Sequence, residues 1–60
     1  MKTLSTFAVN QIQLCKGHNA QKIVMLWQMG RLQPSVIAEL AEYFGVKNDM
    51  YAVANELSKL

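Results

Sequence analysis

Cysteine is almost missing from this chain. Cys15 stands alone, so no intrachain disulfide can form, and with His18 as the single histidine a zinc site built within one chain is not expected. No apolar run approaches the roughly 18 to 20 residues that cross a bilayer. The opening Met1-Lys2-Thr3 carries one charge and leads into no long apolar stretch or small-residue cleavage site, so no signal peptide is expected. A free cysteine without an export signal points to the cytoplasm. Repeats, low-complexity tracts and internal linkers are absent. Catalytic sets are missing too. Cys15 near His18 has no neighbouring acid in sequence to orient the imidazole, Glu39 and Glu42 sit three apart on a solvated helix face, and no phosphate loop occurs. An enzyme is not expected, and neither is a cofactor.

What remains is a short, apolar chain. Its 60 residues make one domain near the lower limit for folding without help, and 52% of them are hydrophobic. With neither disulfide nor metal, apolar burial must hold the fold, and some of that surface is expected to face a partner, a symmetric homodimer being the commonest arrangement. The charge is mildly basic, net +2, and the cations Lys2, Lys16, Lys22, Arg31, Lys47 and Lys59 are scattered, no two adjacent.

Gly17, Gly30 and Gly45 divide the chain into four pieces, each testable for helical spacing. In the first, Leu4, Phe7, Ala8, Ile12 and Cys15 share a face, Val9 and Leu14 fall off it, and Ser5 is a cap. The alternation Gln11-Ile12-Gln13-Leu14 leaves a strand as the rival there. Gly17-His18-Asn19 reads as a turn, with Asn19 capping a second helix that holds Ile23, Val24, Leu26, Trp27 and Met29. Pro34 suits the first turn of a third helix, where its missing N–H would have been unpaired. Val36, Ile37, Leu40, Ala41 and Phe44 then keep the interval until Gly45. Asn48 and Asp49 cap a fourth helix striped by Met50, Val53, Ala54, Leu57 and Leu60. The expected fold is all-α, a small four-helix domain over residues 1–60, with an N-terminal helix in 1–17 and a three-helix core in 19–60. Cys15 and Trp27 are expected in the core, with a dimer seam the alternative for Trp27 and its methionines. His18 belongs to an exposed turn. Of the pair Tyr43-Phe44, one ring should be buried and the other open.

The stretch Ile37-Ala38-Glu39-Leu40-Ala41-Glu42-Tyr43-Phe44-Gly45-Val46 has the ingredients of a tight corner: a small residue at Ala41, a glycine able to turn left-handed, and Val46 to fill the angle. It resembles the helix-turn-helix, and residues 20 to 60 are similar to the three-helix core of winged-helix DNA-binding domains, without room for the wing. The resemblance implies a turn of three or four residues and a last helix, 48–59, that enters the major groove of double-stranded DNA. Its reading face would be Asn48, Tyr51, Ala52, Asn55 and Lys59, with Lys47 in the turn and Arg31 supplying charge from the preceding link.

Two functions follow. One is a small dimeric transcriptional regulator of bacterial or phage type. The other is a protein-interaction module, an inhibitor or adaptor of a DNA-acting complex, and is suggested by the four methionines, the apolar content, and Asp49 and Glu56 on the would-be reading helix. Convergence of Lys16, Lys22, Arg31, Lys47 and Lys59 on one face favours DNA; a dominant apolar patch favours a protein.

Overall fold

The computed structural model describes residues 3–60, which form four α-helices and no strand. They are α1 Thr6–Cys15, α2 Ala20–Met29, α3 Pro34–Phe44 and α4 Met50–Leu57. The fold class is therefore the expected one, and the strand alternative at residues 11–14 gives way to helix. None of the helices reaches the length of about 12 to 15 residues at which an isolated helix holds in water, so tertiary packing fixes all four. The fourth is shorter than the expected 48–59, since Asn48 and Asp49 precede it and Ser58 closes it.

Side-chain caps start three helices at the expected residues. Ser5 Oγ accepts from the Ala8 amide at 3.2 Å, Asn19 Oδ1 from Lys22 at 2.8 Å, and Asp49 Oδ2 from Ala52 at 3.1 Å. Each satisfies one of the orphan amides of a first helical turn. At α3 the cap residue Gln33 makes no such bond; Pro34 leaves one orphan amide fewer, and the Val36 amide bonds the Gln33 carbonyl at 3.1 Å.

The core draws Ala8 and Cys15 from α1, Ile23, Val24 and Trp27 from α2, Val36, Ile37, Leu40 and Ala41 from α3, and Val53, Ala54 and Leu57 from α4. α4 packs on both α2 and α3, and α1 lies against α3. A polar clamp reinforces that last contact. Glu39 of α3 accepts from both the backbone N–H and the hydroxyl of Ser5, the hydroxyl bond being 2.8 Å. A capping box normally takes its second acceptor from the same helix, three residues on; here a distant helix supplies it. The Ser5 bonds, that to the backbone N–H first, hold the Glu39 carboxyl below its usual value.

α1 departs from expectation. Two stripes with identical helical spacing run along it, Ala8–Ile12–Cys15 and Phe7–Gln11–Leu14. Only the first turns inward; Phe7 is 67% exposed and Leu14 52%. Packing two small residues, Ala8 and Cys15, brings α1 close to its neighbours and leaves the bulky ring outside. Met29 and Leu60, expected on inward stripes, are also exposed, each lying at or beyond the last residue of its helix.

The ends of α2 and α3 turn on left-handed residues. After α3, Gly45 has φ +70°, its N–H bonds the Glu42 carbonyl, and the Val46 N–H returns to the Ala41 carbonyl at 2.9 Å. This is the Schellman arrangement, completed by half-buried Val46 packing back on the core. After α2 the left-handed residue is Arg31, with φ 54°, and Gly30 is not. The reason lies one residue on: Leu32 packs against the core and its N–H bonds the Trp27 carbonyl at 3.0 Å, which obliges the residue before it to turn.

Candidate interaction surfaces

Two surfaces bear on function. The first follows α4. Lys47 and Asn48 are exposed in the preceding link, and Tyr51 (62% exposed) and Asn55, four residues apart, share one face of the helix. Ala52 is half-buried, so it offers less contact than an outward residue would. Its neighbours Val53 and Ala54 are in the core, and its amide is tied to Asp49. Lys59 lies beyond the end of α4, exposed, with its Nζ 3.0 Å from Glu56 Oε2. Arg31 stands apart from α4 in sequence, in the α2–α3 link. Over residues 45–60 the charges cancel, Lys47 and Lys59 against Asp49 and Glu56. The link from α3 to α4 holds five residues, Gly45 to Asp49, where a turn of three or four was expected.

The second surface is a cleft of about 190 Å³ between α1, α2 and the start of α3. The stripe Phe7, Gln11 and Leu14 forms one wall. Leu26 and Trp27 of α2 form another, and the link Gly30–Gln33 with Val36 closes the third. Among the described residues, Arg31 is the only charged one in the lining. Trp27 is 2% exposed, which makes the chain's single tryptophan a buried reporter of this cleft. Gln11 Oε1 is buried without a hydrogen-bond partner, at a cost of about 1 to 3 kcal/mol, and Trp27 Nε1 is buried without an oxygen or nitrogen partner. Burial pushes the Cys15 thiol up, and the Trp27 indole N–H, near the sulfur but outside hydrogen-bond geometry, offsets this in part.

Charge is divided along the chain as well. Glu39, Glu42, Asp49 and Glu56 are the only acids in the sequence, so residues 1–38 hold four cations (Lys2, Lys16, Lys22 and Arg31) and no acid, while 39–60 hold two cations and four acids. Both α1 and α2 lack any acid. The Phe7–Gln11–Leu14 stripe and this partition were legible as spacing and as a count, although neither marks a site until the fold shows which stripe is left open. Tyr43 is exposed and meets half-buried Phe44 edge-on, ring centres 5.2 Å apart. His18 is half-buried in its turn, less open than expected. Among the described residues no three His, Cys, Asp or Glu side chains group as a metal site, and no helix is long and apolar enough to cross a membrane. Comparison with known protein families, curated proteins and solved structures gives no match.

Proposed function

We propose that this domain is a non-catalytic protein-interaction module whose cleft receives an apolar segment of another protein. The observation that carries this reading is the uncovered stripe of Phe7 and Leu14 beside buried Trp27. Phe7 and Leu14 are already partly covered, so burying their remaining surface is worth about 2 to 4 kcal/mol together, a contribution to anchoring a peptide rather than the whole of it. The buried free thiol of Cys15 suits a reducing compartment such as the cytoplasm. A direct test uses an uncharged amphipathic peptide, with leucines at helical spacing among glutamines and serines, and reads Trp27 fluorescence. Saturable binding that disappears in the double variant Phe7→Ser, Leu14→Ser supports the module. Binding indifferent to that variant refutes it, and so does absence of binding by this peptide and by versions of it that carry charge.

A second reading has its own support in the exposed run Lys47, Asn48, Tyr51 and Asn55 after the left-handed corner at Gly45. On this reading the chain is a helix-turn-helix regulator that lays α4 in the major groove. As a homodimer it would set its two copies one turn of DNA, about 34 Å, apart. Titration of duplex DNA at two salt concentrations, with native mass, decides it. Affinity falling steeply with salt and weakened in Lys47→Ala supports DNA binding; no retention at low salt ends it.

A further inference from the structure

Resting on the interaction-module reading, we infer that the segment taken by the cleft is acidic as well as apolar, an apolar side chain for the Phe7–Leu14 wall accompanied by a carboxylate for Arg31. Charge complementarity carries this. Arg31 is the sole charge among the described residues of the lining, and no acid occurs before Glu39, so nothing on α1, α2 or their link neutralises Arg31, Lys16 or Lys22. Glu39, the acid first in sequence, is engaged by Ser5.

Two further features suit a peptide. Arg31 is held in a left-handed conformation, which a residue with a Cβ adopts at a cost of about 1 to 3 kcal/mol, and the docking of Leu32 keeps it there. The guanidinium is thus carried on a rigid corner of the cleft rather than a mobile loop, and a planar guanidinium pairs a carboxylate through two parallel hydrogen bonds. Gln11 Oε1, in the same wall, is unpartnered but closed to solvent, so it would accept a main-chain N–H of an incoming segment only once its side chain turns toward the cleft. A second copy is the poorer occupant. Cleft against cleft would bring two Arg31 side chains together with no carboxylate between them.

The test compares three versions of the amphipathic peptide, with glutamate, lysine or neutral residues beside the leucines, again by Trp27 fluorescence. The glutamate peptide should bind at least about fivefold more tightly than the lysine peptide at low salt, with the gap narrowing at high salt. Arg31→Glu should reverse the order. Arg31→Gly, which keeps the left-handed turn and removes the charge, should shrink the preference while leaving the fold intact. Equal binding of the charged peptides, or an order that survives both variants, overturns the acidic assignment, and continued binding of the neutral peptide would then leave the module standing. Failure of all three peptides sinks both. Displacement of the glutamate peptide from the cleft by duplex DNA with higher affinity, or a dimeric mass that falls to monomer when the peptide binds, also overturns it, in favour of a nucleic acid or a second copy.

Discussion

Gly45→Ala isolates the backbone contribution of the corner between α3 and α4. An added Cβ at this position meets no atom within 4 Å, so the substitution introduces no clash. What it changes is conformational: φ is +70°, where an alanine costs about 1 to 2 kcal/mol relative to its right-handed state. Stiffening the unfolded chain returns about 0.4 to 1 kcal/mol of that. The two ranges leave a net loss of up to about 1.6 kcal/mol, with a midpoint near 0.8, against a total stability of about 3 to 9 kcal/mol for a domain of this size. Thermal unfolding followed by circular dichroism should show a Tm lower by about 2 to 10 °C. Arg31 should behave with the opposite sign, because glycine there relieves a left-handed residue that has a Cβ, so Arg31→Gly should raise Tm by a few degrees. An unchanged or higher Tm for Gly45→Ala, or a lower one for Arg31→Gly, would refute the claim that left-handed geometry controls these corners.

The Ser5–Glu39 clamp should make α1 docking sensitive to acid. Because the folded carboxyl lies below its ordinary value, its stabilising contribution is present above about pH 4.5 and is lost as pH falls through the lowered folded value. Glu39→Gln should therefore lower Tm near neutrality and converge with the unsubstituted chain in acid; a constant difference across pH would contradict the clamp. Cys15 should resist a thiol reagent in the folded domain, both because it is buried and because burial raises its pKa, and denaturant should release it. Rapid labelling without denaturant would show α1 to be undocked. Leu40→Ala, at a fully buried site, should cost about 2 to 5 kcal/mol, a large share of the total, and a denaturant titration showing less than about 1 kcal/mol would deny that Leu40 anchors the core.

Local chemistry in the sequence marked most element boundaries. Ser5, Asn19 and Asp49 cap where their oxygens can reach an amide three residues on, Pro34 opens α3, and Gly45 closes it, all within one helical turn of sequence. The inward faces of α3 and most of α2 and α4 followed from spacing, since each offers a single apolar stripe. Where two equivalent arrangements existed, sequence could not choose. Phe7–Gln11–Leu14 and Ala8–Ile12–Cys15 have the same periodicity, and only the fit of α1 against α3 decides that the smaller set goes inside. Gly30 against Arg31 is the same kind of choice, settled by where Leu32 must dock. The Glu39 bonds to Ser5 span 34 positions of sequence, beyond any local pattern. The chain alone thus marked where helices start and stop, because capping and periodicity act over a few residues, while residues 11–14 kept a strand as rival until packing chose helix. Tertiary packing decided which faces remain open, because that depends on how closely helices distant in sequence can approach.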